Sequence, residues 1–90
     1  MTRPLRYFVS YLPMERQNKM IADHGESWLD HDPEWHIVER DFATLPAARK
    51  FATSDSVSDI FVEVCERTNM RPHEAGAIYG WEWDVKVVDD

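Results

Sequence analysis

The chain of 90 residues has a single cysteine, three glycines and no apolar run near the roughly 20 residues a bilayer-crossing helix needs. Cys65 alone excludes an internal disulfide framework and points to a reducing compartment, the cytoplasm. Three glycines leave no phosphate-cradling Gly-rich loop, and no Gly-x-Ser-x-Gly turn is present. The first twelve residues lack the apolar segment and small-residue cleavage site of a secretory leader. Positive charge is also scarce: 10 Lys and Arg stand against 17 Asp and Glu, for a net charge of -7. Between Lys19 and Arg40 there is no cation, while Asp23, Glu26, Asp30, Asp32, Glu34 and Glu39 all fall there. Nucleic acids are bound largely by neutralising phosphates with Lys and Arg, so direct binding to them is disfavoured. A basic protein surface would instead be attracted.

What is present suits one small domain, 1–90. A chain this short buries only about 60–65% of its unfolded surface, so each large core side chain matters. Residues 5–12 are aromatic and β-branched and end at Pro13, predicting a strand with Leu5, Tyr7, Val9 and Tyr11 on one face. Residues 14–23 carry a thin apolar stripe (Met14, Asn18, Ile21) that fits a short helix ended by Gly25. Residues 24–34 are polar and irregular, and Pro33 closes them. A second strand is predicted over 35–42, which makes 13–34 a long connection of the kind that often carries function. Thr44 is a suitable N-cap for a helix over 45–53, with Pro46 in its first turn and Arg49 and Lys50 near its C-terminal end.

Residues 59–67 predict a third strand. A helix over 56–69 competes, but three valines and an isoleucine within 57–64 favour the strand. Residues 81–88 alternate cleanly, with Trp81, Trp83, Val85 and Val87 on one side and Glu82, Asp84 and Lys86 on the other. The expected fold is α+β: a four-stranded antiparallel sheet in ββαββ order, one main helix on one face, and a long insertion between strands 1 and 2. Leu45 and Phe51 would pack on Tyr7, Val9, Ile37, Val62, Trp83 and Val85.

No catalytic constellation emerges. His24, His31, Asp32 and His36 are metal-ligand types, but their spacing suits neither one helix face nor one strand face. Cys65 sits beside Glu66, which opposes thiolate formation. Reading 59–80 as a helix-turn-helix leaves a second helix with Glu74 and almost no cations, poor equipment for a DNA groove. Trp28, inside the acidic insertion, either folds back onto the core or stands out as an anchor for a partner.

The stretch Trp35-His36-Ile37-Val38-Glu39-Arg40-Asp41-Phe42-Ala43-Thr44-Leu45-Pro46-Ala47-Ala48-Arg49-Lys50-Phe51-Ala52 resembles a strand-to-helix element of very small phage and mobile-element proteins. With its size and acidity, the chain is similar in build to anti-CRISPR inhibitors. That resemblance implies a stoichiometric, non-enzymatic inhibitor of a nucleic-acid-handling complex, such as a CRISPR effector, acting at times by imitating DNA charge. The residues expected to meet the partner are Asp23, Glu26, Trp28, Asp30, Asp32 and Glu34, with a second group at Glu82, Asp84, Asp89 and Asp90. No cofactor, metal, membrane or direct nucleic-acid contact is expected, and the chain would be a monomer or homodimer. Two alternatives remain: a metal-binding protein or enzyme using His24, His31, Asp32 and His36, and an accessory protein that self-assembles through an open sheet face or edge.

Overall fold

A computed structural model describes residues 3–73 and 80–88. Strand β1 (Tyr7–Pro13) leads directly into helix α1 (Met14–His24), followed by two 3-10 turns, Gly25–Asp30 and Pro33–His36. Then come β2 (Val38–Phe42), α2 (Leu45–Ala52), β3 (Val57–Pro72) and β4 (Trp81–Val87). The four strands form one antiparallel sheet in the order β2-β1-β3-β4. The α+β class and the antiparallel sheet therefore hold. The element order differs from ββαββ, because the insertion contributes a full helix between β1 and β2.

Local chemistry explains the boundaries. At Gly25, φ is 61° and ψ is -139°, a backbone state that is essentially glycine-only, and α1 ends there. The Thr44 hydroxyl accepts from the Ala47 N–H at 3.4 Å and caps α2. Pro46 occupies the first turn of that helix, where its missing N–H costs nothing. The competing helix over 56–69 is not formed: β3 runs through to Pro72, so a helix-turn-helix starting at 59 is excluded as well. Residues 74–79, which would have formed most of its second helix, lie outside the described residues. Within β3, Asn69 has φ 52°, and the register with β4 slips between Thr68 and Arg71. This is a bulge on β3, and Asn tolerates the left-handed conformation better than most side chains.

Antiparallel partners share a face, so the register sorts the side chains. Tyr7, Val9, Tyr11, Phe42, Val62 and Val64 lie on one side. Helix α2 covers that side, with the Phe51 ring 4.9 Å from Tyr11 and 5.4 Å from Phe42. Trp83 and Val85 do not join this layer, contrary to expectation. Val85 pairs with Arg67, and Arg67 is on the side of Phe8 and Cys65, away from α2. The clean alternation of β4 identified one face correctly but could not say which face of the sheet it was.

Among the described residues, the insertion covers one end of the opposite side. Leu12, Met20 and Trp28 form a buried cluster there, with Ile37 and Phe61 packed against it. Ile37 thus belongs to the insertion's core rather than to the α2 layer. The buried Ser58 hydroxyl donates to Gln17 Oε1, and it accepts from the N–H groups of Ile60 and Phe61, each at 3.1 Å. That pair ties α1 to the first turn of β3. Further along the same face, Arg67 is 6% exposed and lies between two rings, 4.6 Å from Phe8 and 4.9 Å from Trp83. It donates from Nη2 to Asp41 Oδ1 at 2.8 Å and from Nη1 to the Leu5 carbonyl at 2.6 Å. A buried cation is tolerable only with such partners, and the planar guanidinium lets it stack as well as donate.

Candidate functional site

The insertion is an ordered platform. Trp28 is only 8% exposed, its ring edge-on to Phe61 at 6.1 Å, so it caps the core and is not the surface anchor. The exposed aromatic among the described residues is Trp35, 81% accessible in the turn Pro33–His36, with Leu29 also half in solvent. Nothing in the local sequence distinguishes the two tryptophans, because each follows an acidic residue or its neighbour in a polar stretch. Only the packing of Met20 and Leu12 decides which one turns inward.

The five insertion acids expected to meet a partner, Asp23, Glu26, Asp30, Asp32 and Glu34, are all exposed. Asp23 pairs with Lys19 one helical turn earlier, at 3.0 Å. Glu26, Asp30, Asp32 and Glu34 form no ion pair among the described residues. Asp32 has φ 53°, a left-handed turn that aims the chain into the Pro33 segment.

The second acidic group is separate. Glu82 is held by Arg71 at 2.8 Å and faces His73 at 3.8 Å; Asp84 accepts from the Asn69 amide at 3.1 Å. Asp89 and Asp90 lie outside the described residues. The insertion packs near Ser58 and Phe61, whereas Glu82 pairs with Arg71, so the two groups are about 30 Å apart along β3. They do not make one patch, and Glu82 is already neutralised within the chain.

The histidines do not converge on a point. The His24 and His31 rings stack at 3.7 Å with an angle of 12°, and His36 Nδ1 lies 3.4 Å from an Arg16 nitrogen. A ring nitrogen binds metal in the plane of its own ring, and two rings stacked with centroids 3.7 Å apart and planes only 12° from parallel do not aim their nitrogens at one ion. Among the described residues no group of three His, Cys, Asp or Glu side chains is placed to hold a metal ion. Cys65 is buried; burial first, then Glu63 and Glu39, push its thiol above the usual range, while Arg67 pulls the other way. A concavity of about 580 Å³ opens between α1 and α2 beside Glu15, Asn18, Arg40 and Phe51. Arg40 there lies over the Phe51 ring at 4.8 Å.

No protein-family model, curated protein or solved structure matches the chain. No helix among the described residues is long and apolar enough to cross a membrane.

Proposed function

We propose that the chain is a non-enzymatic binding protein that docks its insertion on a Lys/Arg-rich surface of a nucleic-acid-handling partner. The observation that carries this reading is Trp35, 81% exposed, on the same platform as four carboxylates that form no ion pair among the described residues. An exposed Trp is a typical hot-spot anchor, and surrounding carboxylates supply attraction and register. The buried Trp28 holds the platform to the sheet, so little ordering entropy is lost when it binds. The group at Glu82 and Asp84 is not part of this surface. A CRISPR effector complex, suggested by the likeness to anti-CRISPR inhibitors, is one partner of the required chemistry.

The test uses the native chain, the charge-reversal variant D30K/D32K/E34K and W35A as baits for affinity capture. The captured protein is then purified and titrated at low and at high salt. The expected partner has a basic nucleic-acid site, binds more weakly at high salt, and loses affinity for both variants. A partner whose affinity and salt slope are the same for all three baits overturns the reading.

A further inference from the structure

We propose that β4 pairs antiparallel with β4 of a second copy of the chain, about a two-fold axis at Val85, joining two sheets into one. Strand β4 is an edge of the sheet. The Val88 N–H donates to the Val64 carbonyl at 2.7 Å, and the register continues as Glu66 with Lys86 and Thr68 with Asp84. Hydrogen-bonded positions alternate along an antiparallel strand, so the backbone groups of Trp83, Val85 and Val87 face outward. Val85 is 56% and Val87 45% exposed.

Strand register and charge select one arrangement. Opposed residues in a two-fold pairing must have outward-facing groups of the same parity, which leaves axes at single residues. An axis at Asp84 sets Asp84 against itself, an axis at Lys86 sets Lys86 against itself, and an axis at Trp83 opposes Asp84 to Glu82. The axis at Val85 alone opposes Asp84 to Lys86 twice, on one face. On the other face it opposes Val85 to Val85 and Trp83 to Val87. Lys86 has no ion pair among the described residues, so it is available. Opposite charges and aromatic–aliphatic pairs facing each other are the units that stabilise such a ladder.

The other edge is defended. In β2, axes at Glu39, Arg40 or Asp41 each set that charge against itself, the usual protection against edge pairing. Strand β4 carries the same device at Asp84 and Lys86 but leaves the axis at Val85 open, and it also needs support. Beyond Glu66, β1 no longer accompanies β3, so much of β4 belongs to a two-stranded ribbon, which is marginal alone. A second copy supplies the missing strand. The joint is remote from the insertion, and its variants leave Asp30, Asp32, Glu34 and Trp35 untouched.

Sedimentation of the full chain from micromolar to millimolar concentration is expected to show a monomer–dimer equilibrium. V85P removes an outward N–H that β3 does not use, and is expected to give a monomer with an unchanged circular dichroism spectrum. D84K and K86D, each alone, place like charges opposite each other twice and are expected to weaken the dimer about ten-fold. The double variant D84K/K86D exchanges the charges and is expected to restore it, an outcome that general destabilisation of β4 does not produce. A monomer at every concentration, a dimer indifferent to V85P, or a double variant no better than the singles overturns the proposal.

Discussion

Replacing Trp28 with alanine removes the largest side chain of the Leu12–Met20–Trp28 cluster, and the insertion rests on the sheet through that cluster. A buried Trp-to-Ala change costs about 3–5 kcal/mol, a large part of the 5–15 kcal/mol that holds a domain together. Urea unfolding of Trp28→Ala is therefore expected to show a much lower midpoint. Trp35→Ala removes a ring already in water and is expected to change stability by less than about 0.5 kcal/mol while lowering partner affinity. Equal losses of stability in the two variants would show that the tryptophans had been assigned wrongly. Cys65 offers a second residue-level check. Its folded pKa lies above the ordinary thiol value because burial and two carboxylates disfavour the thiolate. The folded state thus holds the thiol proton more tightly than the unfolded chain. That contribution to stability is complete below the unfolded thiol pKa and is lost as pH rises through the folded one. Alkylation at mildly alkaline pH is expected to be slow in the folded protein and fast in urea. Rapid labelling of the folded chain would contradict the burial.

At the scale of elements, the β3 bulge makes a sharp prediction. Asn69 at φ 52° occupies a region where glycine is free and a β-branched residue is strained. Asn69→Gly is expected to be close to neutral, and Asn69→Val to cost about 1–2 kcal/mol in thermal unfolding. Thr44→Ala, which removes the α2 cap, is expected to cost about 1 kcal/mol. The legibility of the elements follows from the same physics. Helix α2 could be read because its cap, its early proline and its apolar stripe agree, and β4 because its alternation is unbroken. The α1 helix was visible only as a thin stripe, since it is anchored by Gln17 and Met20 rather than by a run of aliphatics. The length of β3 was not legible. Its second half carries Arg, Asn and Pro, and it is a strand because β4 pairs with it, which is a tertiary cause. In the candidate site, the exposure of the acids was legible from composition. Their separation from Glu82 and Asp84 was not, because it depends on how far β3 extends past β1. The stacking of His24 on His31, and the choice of Trp35 over Trp28, likewise depend on the packed insertion and left no periodic mark in the sequence.

The whole molecule is elongated: its radius of gyration is 15.3 Å, against about 12 Å for a compact chain of this length, and it measures 46 × 29 × 19 Å. The offset of β3 and β4 from β1 accounts for this and sets the two acidic groups far apart. Negative charge is therefore distributed so that each end has its own local field, and at 0.15 M salt a Debye length of about 8 Å isolates the two ends electrically. The insertion end carries four carboxylates that form no ion pair among the described residues, and these repel one another in the folded state. Folding and docking should then respond to salt in opposite directions. Added salt screens the repulsion and is expected to raise the Tm of the isolated chain by a few degrees, while it weakens attachment to a basic partner. Neutralising the cluster separates the two effects. D30N/D32N/E34Q is expected to melt a few degrees higher than the native chain at low salt, to show a flatter dependence of Tm on salt, and to bind its partner less tightly. Such a trade, stability given up for a charged surface, is the pattern of a functional site. A neutralised variant that melts lower, or that melts higher and still binds with the native salt slope, would mean that the carboxylates serve solubility alone.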